Sequence, residues 1–188
     1  MRRFVNPLMK AGIAVAIFIV AVLVAGSLTE SQTVQALMER FGYFGILLVG
    51  MVTGFNILVP VPGSAFTPLF LSGGFPFVGI MIALSIGTTI ADFVGFTVGK
   101  MSRSYVEKQH TFWYEKLREF SDRFRWLVLP FVFFYAAFAP IPNEVILIPL
   151  GLLGFKIRML VVPLLLGTVV HHSVYSLLAM GVFGVWFG

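Results

Sequence analysis

Pro60-Val61-Pro62-Gly63-Ser64 and Pro140-Ile141-Pro142-Asn143-Glu144 stand eighty positions apart, and that interval governs the reading of the whole chain. Gly74-Phe75 returns as Gly154-Phe155, Gly87-Thr88 as Gly167-Thr168, and Val94 as Val174. A shared Pro-x-Pro carries little by itself. One constant offset through several Gly, Pro and Phe positions marks an internal repeat. The expectation is a chain of two halves whose working centre lies where two broken segments meet.

Composition sets the surroundings. Of 188 residues, 59% are hydrophobic and 11% charged, against roughly 25% charged in soluble chains. Residues 41–99 carry no charge except Asp92, and a bilayer span needs about 20 apolar residues. The chain therefore reads as a single-domain, all-α integral membrane protein. Its net charge of +5 raises nucleic acid as a partner, but the distribution argues against it. Of 13 Lys and Arg residues, all but Arg40 fall into three clusters: Arg2, Arg3 and Lys10; Lys100 to Arg125; Lys156 with Arg158. The positive-inside rule puts these clusters, and the N-terminus, on the cytoplasmic side. The absence of cysteine excludes disulfides and thiol chemistry.

Residues 11–26, AGIAVAIFIVAVLVAG, follow a basic start and resemble a signal peptide superficially. The run has the length of a slightly tilted span and the chain stays apolar after it, so 1–28 is read as a first transmembrane helix. Thr29-x-x-Gln32 forms a capping-box pattern, and Val34, Leu37, Met38 and Phe41 share a helical face, giving an outer interfacial helix over 29–42. Between Arg125 and Lys156 lie 30 residues; two complete spans would need about 40. A re-entrant hairpin turned by Pro140-Ile141-Pro142 fits. The repeat then makes 43–73 a matching hairpin with its tip at Pro60 and Pro62, so 43–100 and 127–188 are inverted repeats, each a re-entrant hairpin followed by a transmembrane helix, at 76–99 and 159–186. Irregular backbone at membrane depth must be buried in protein or line a wet cavity, which turns both tips inward. Trp113, Leu117, Phe120 and Phe124, with basic residues around them, give a cytoplasmic amphipathic helix over 101–126.

Asp92, Glu144, His171 and His172 are ionisable groups in apolar segments, where each is costly and faces a partner or a cavity. Asp92 and His172 are equivalent by the repeat, as are Ser64 and Glu144. The bland alternative is a structural Asp–His pair, with His172 the partner of Asp92. Ser64 and Asn143 are candidate N-caps of the second half-helices, whose N-termini would aim partial positive charge at the bilayer middle and attract anions such as phosphate. Glu144, in a first turn, either serves that dipole alone or competes with an anionic ligand and releases it on protonation. Asn56, ahead of the first Pro-x-Pro, joins Asp92, Glu144, Asn143, Ser64 and His172 as a candidate for substrate binding or proton coupling. No P-loop, metal-ligand spacing or nucleophile elbow is present, so neither a cofactor nor a metal is expected, and an enzyme is the least favoured class.

Residues 41–186 resemble the DedA/VTT family, also called the SNARE-associated Golgi protein family. Pro60-Val61-Pro62-Gly63-Ser64 is similar to its Pro-x-Pro-Gly-Glu motif. Ala91-Asp92-Phe93-Val94-Gly95-Phe96-Thr97-Val98-Gly99-Lys100 is similar to its Gly-Asp-x-x-Gly-Tyr-x-Ile-Gly-Arg pattern, and is the most specific match. Ala137 to Asn143 is similar to its Arg-Phe-x-Pro-x-x-Arg stretch. The resemblance implies opposed re-entrant hairpins and movement of lipids across a bilayer: recycling of undecaprenyl phosphate and proton-dependent transport in bacterial members, phospholipid scrambling in eukaryotic ones. This chain departs from the pattern at Ala137 and Asn143, where arginines are usual, and at Ser64, where a glutamate is usual. It resembles a divergent member.

The resulting expectation is a lipid translocase or scramblase in a prokaryotic cell membrane, for a phospholipid or a polyprenyl phosphate, with protons as a second partner and a homo-oligomer left open. The alternatives are a proton-coupled transporter of a small solute or cation, and a non-transporting membrane assembly factor.

Overall fold

The computed structural model describes residues 7–28, 31–55, 61–108, 115, 116, 118, 119, 123, 125–139 and 141–187. Asn56, Pro60 and Pro140 lie outside the described residues, as do Thr29 and the Trp113, Leu117, Phe120 and Phe124 face. All regular structure among the described residues is helical. In order it comprises α1 (Pro7–Ser27), α2 (Gln32–Gly54), a 3-10 turn (Gly63–Phe66) running into α3 (Thr67–Ser72), α4 (Phe77–Lys108), a second 3-10 turn (Arg125–Leu127) running into α5 (Val128–Phe138), α6 (Glu144–Leu152) and α7 (Ile157–Phe187).

Three stretches, Gln32–Gly54, Phe77–Glu107 and Ile157–Val182, are long and apolar enough to cross a membrane. With them the chain is an integral membrane protein. Helix α4 shows why. Val78, Ile82, Ile86, Ile90, Val94 and Val98 recur every four residues and are all exposed, whereas Leu84, Ser85, Thr88, Asp92 and Gly95 are buried. An unbroken apolar outer stripe beside a polar inner one suits lipid outside and protein inside.

Helix α2 is not straight. Gly42 adopts φ 53° and ψ −138° within it, a conformation open to glycine at little cost. The arm beyond the break, 43–54, is about 18 Å long at 1.5 Å per residue, shorter than a hydrocarbon core of about 30 Å. The helix begins at Gln32 after Ser31, whose side chain makes no capping bond; Thr29 of the expected capping box is outside the described residues. Helix α4 also runs on to Lys108, so 101–108 extends it and does not open a separate amphipathic helix.

The eighty-residue offset reappears in backbone geometry. Helices α3 and α6 end alike: Gly74 (φ 82°) and Gly154 (φ 80°) take the left-handed conformation. Gly74 N–H donates to Leu71 O and Phe75 N–H to Phe70 O; Gly154 N–H donates to Gly151 O and Phe155 N–H to Leu150 O. Both are Schellman motifs, which satisfy the last carbonyls of a helix where the chain turns. Helices α4 and α7 then start at equivalent positions, Phe77 and Ile157.

Helix α4 is the centre of the packing, against α2, α6 and α7; α7 in turn packs on α5 and receives α1 and the first 3-10 turn. Close approach depends on glycine. A Cβ on Gly99 would strike the Ile148 carbonyl, one on Gly151 the Phe96 carbonyl, and one on Gly87 the Leu47 carbonyl. Small residues at such crossings let backbones meet where lipid supplies no hydrophobic drive between helices. One apolar cluster (Ile46, Phe70, Ile80, Leu84) joins α2, α3 and α4. A second (Phe96, Val132, Leu147, Leu160, Leu164) joins α5, α6 and α7 to the far end of α4.

Candidate functional site

The site grows from the inner face of α4. Ser85, Thr88, Thr89 and Asp92 follow the i, i+3, i+4, i+7 spacing that collects side chains on one helical face, and all four are buried. Thr168, His172 and Ser176 form the matching stripe on α7, again buried. Asp92 lies near the middle of the 32-residue α4, and His172 holds the equivalent place in α7.

Where the two stripes cross, the polar groups bond to each other. His172 Nε2 lies 3.0 Å from Thr88 Oγ1, and the Thr88 hydroxyl reaches the Gly50 carbonyl at 3.3 Å. With the hydroxyl proton on that carbonyl, the threonine oxygen accepts from Nε2–H, which leaves Nδ1 of His172 as the unprotonated nitrogen. Thr89 and Thr168 oxygens stand 3.4 Å apart, and Thr67 and Ser176 oxygens 2.7 Å. These threonine and serine links were not singled out from sequence. Their signal was present in the Gly87-Thr88 and Gly167-Thr168 repeat and in the one-face spacing.

Asp92 finds a different partner from the one expected. Its Oδ2 accepts a hydrogen bond from Asn143 Nδ2 at 2.9 Å, while His172 goes to Thr88. The reason is position: Asn143 precedes α6, which packs directly on α4. Asn143 does occupy the N-cap position of α6, but its backbone is already αR (φ −61°, ψ −26°) and its side chain makes no capping bond there; its amide N–H serves the aspartate. Ser64 is not an N-cap either. It sits inside the 3-10 turn that follows Pro62, fully buried, with no hydrogen-bond partner for its hydroxyl among the described residues.

Glu144 opens α6 one residue after Asn143 and is buried. A Cβ on Gly95 would come within 3.1 Å of Glu144 Cγ, so the bare glycine one turn beyond Asp92 makes room for the glutamate. The two carboxyl groups are near enough to act on each other electrostatically. Asp92, Gly95, Asn143 and Glu144 thus form one polar layer between α4 and the start of α6. Tyr135 Oη reaches the Pro142 carbonyl at 3.3 Å, tying α5 to the chain that returns from it.

A cavity of 290 Å³ adjoins this layer, lined among others by Thr53, Thr88, Asn143, Thr168, His171 and His172. Pro62 and Pro142 both line it, so each Pro-x-Pro contributes a proline to the same space. Ser64, Asp92 and Glu144 are not among its walls; Asp92 meets it only through its bond to Asn143. His171 stacks on Tyr175 at 4.3 Å between centroids, on the side where Phe18 of α1 contributes. Comparisons with protein families, with curated proteins and with solved structures found no match. Among the described residues no three His, Asp or Glu side chains are grouped to hold a metal ion. The arrangement offers hydrogen-bond donors, buried carboxyl groups and a chamber, which is equipment for binding and passage.

Proposed function

We propose that the protein is a membrane lipid translocase or scramblase working through the chamber between its two Pro-x-Pro segments. The observation that carries this reading is the buried polar layer of Asp92, halfway along α4, with Asn143 and Glu144 at the start of α6, next to a cavity that both segments line. Burying a carboxylate at membrane depth costs several kcal/mol (about 3 on insertion scales), and ionisable groups held there mark substrate or proton pathways by default. A phospholipid or polyprenyl-phosphate headgroup would pass Asn143 and the threonine hydroxyls, while its tails stay against the apolar outer faces. Asp92 and Glu144 would tune the passage electrostatically or carry protons.

The same reading takes the two halves as inverted repeats with re-entrant hairpins, α2 with α3 and α5 with α6. The matched Schellman turns at Gly74 and Gly154, the break at Gly42 and the eleven residues of α5 support it; so short a helix is about half a span. It also places the N-terminus and the three basic clusters in the cytoplasm of a prokaryotic cell, and it accords with membership of the DedA/VTT group as a divergent branch.

A second reading has its own observation. A chamber of 290 Å³ lined by Asn143, His171 and His172, with the Asp92 carboxyl group behind Asn143, is at the small end of ligand pockets and suits a small solute or cation moved with protons. Dye-labelled lipid and candidate solutes are followed in proteoliposomes with and without a pH gradient. Lipid exchange that proceeds without a gradient supports the scramblase; solute accumulation that requires one, with no lipid exchange, replaces it by the transporter. No movement of either by a correctly inserted protein points to an assembly factor.

A further inference from the structure

A second cleft, of 630 Å³, lies between the far end of α4 and the turn from α6 to α7. It is remote in kind from the polar layer: its walls include Lys100, Arg103, Lys156 and Arg158, with Glu107 the only acidic residue among them. Four cations against one anion in one concavity repel each other, and that repulsion is relieved by an anion bound between them. Arg103 Nε meets Glu107 Oε1 at 3.1 Å, and Glu107 is shared with Arg118 at 3.4 Å. This leaves the cleft's positive charge in excess. Lys100, Lys156 and Arg158 are exposed and have no acidic partner among the described residues.

The turn itself is shaped for this. Gly154 takes φ 80° and carries no side chain, and the Arg103 guanidinium lies against the space a Cβ would fill. Arg103 therefore spans from α4 to the turn, and brings a planar fork of donors to the cleft that Lys156 and Arg158 also line. Directly after the turn, α7 begins at Ile157, so the unpaired N–H groups and partial positive charge of a 31-residue helix add to the same space. Arginine and lysine converging from two elements around a helix start suit a group with several anionic oxygens presented in different directions.

We infer that this cleft binds a phosphate group, carried on a lipid headgroup or free in solution. The inference does not rest on lipid translocation, because it concerns binding at one end of the bundle. On the sidedness proposed above, that end is cytoplasmic, and headgroup level is where such a cleft meets a leaflet.

The test titrates the purified full chain in neutral detergent with short-chain phosphatidic acid and, separately, with inorganic phosphate, reading bound ligand by calorimetry. Lys156→Gln and Arg158→Gln are each expected to weaken binding about tenfold, as for the loss of one charge-assisted hydrogen bond. Lys156→Arg retains it, and Arg40→Gln, which removes an equal charge elsewhere, leaves it unchanged. Binding of phosphatidic acid alone identifies a lipid headgroup as the source; binding of both ligands, each lost in the two glutamine variants, identifies the phosphate group whatever carries it. No binding of either ligand overturns the inference. Equal weakening by Arg40→Gln overturns it as well, since the attraction would then be one of net charge.

Discussion

Asn143 donates from Nδ2 to Oδ2 of Asp92 at 2.9 Å with both residues buried, so the second Pro-x-Pro segment is fastened to the long helix of the first half. One polar bond across fifty-one positions of chain joins the two segments. The other oxygen of Asp92 has no hydrogen-bond partner among the described residues, which makes the asparagine amide the main support of that carboxyl group.

Removing that support has a definite cost. Asn143→Ala leaves a buried acceptor without its donor, and is expected to destabilise the protein by about 1–3 kcal/mol, read as a lowered midpoint of thermal unfolding in detergent. Asn143→Asp is worse, because it adds a third acidic group beside Asp92 and Glu144. Unchanged unfolding in both variants would mean that the bond is not formed.

Glycine at the helix crossings gives a second expectation. Gly99→Ala and Gly151→Ala each push a methyl into a facing carbonyl, Ile148 and Phe96 respectively, and overpacking of this kind costs about 1–3 kcal/mol. Gly184 has nothing within 4 Å of its would-be Cβ, so Gly184→Ala is neutral or slightly stabilising. Thermal unfolding of the three single variants checks the ranking.

The crossing of α4 and α7 gives a third. Thr88→Val removes the hydrogen-bond partner that His172 Nε2 has among the described residues and should lower stability more than Thr89→Val, whose contact with Thr168 is a longer 3.4 Å. Denaturation of the two variants side by side measures the difference; equal loss would mean that the Thr88–His172 bond is worth no more than the Thr89–Thr168 contact.

Sidedness is open to direct labelling, since the chain has no cysteine of its own. Re-entrant chain between α5 and α6 requires that Arg123→Cys and Lys156→Cys react with a membrane-impermeant maleimide from the same side. Reaction from opposite sides would mean that this segment crosses, and the hairpin reading would fall.

Much of the architecture was legible because membrane helices obey two plain rules: spans are apolar, and repeats keep their register. The uncharged run 41–99 and the eighty-residue offset pointed to the long helices and to the paired turns at Gly74 and Gly154. What the sequence could not provide was who faces whom. By repeat symmetry Asp92 and His172 looked like partners, yet equivalent positions in two halves need not touch; each met the element packed on its own helix, Asn143 and Thr88. Helix caps misled for a related reason. Ser64 and Asn143 have the right side chains and neighbours for capping, but their backbones are not placed for it: Ser64 lies inside a 3-10 turn and Asn143 is already αR at φ −61° and ψ −26°, where a capping residue is extended. The continuation of α4 to Lys108 was masked by the rise in charge after Gly99, which marks where the helix leaves the apolar layer and not where it ends.

The central claim is that the layer of Asp92 and Glu144 lies on a lipid path. The most direct measurement is lipid exchange in proteoliposomes containing equal amounts of the wild type, Asp92→Asn and Glu144→Gln, with thermal unfolding confirming that all three are folded. The account predicts exchange by the wild type and a loss of about tenfold or more in each variant, equivalent to roughly 1.4 kcal/mol in the barrier. Exchange at the wild-type rate in both folded variants would contradict it, and would move the path away from the chamber between the two halves.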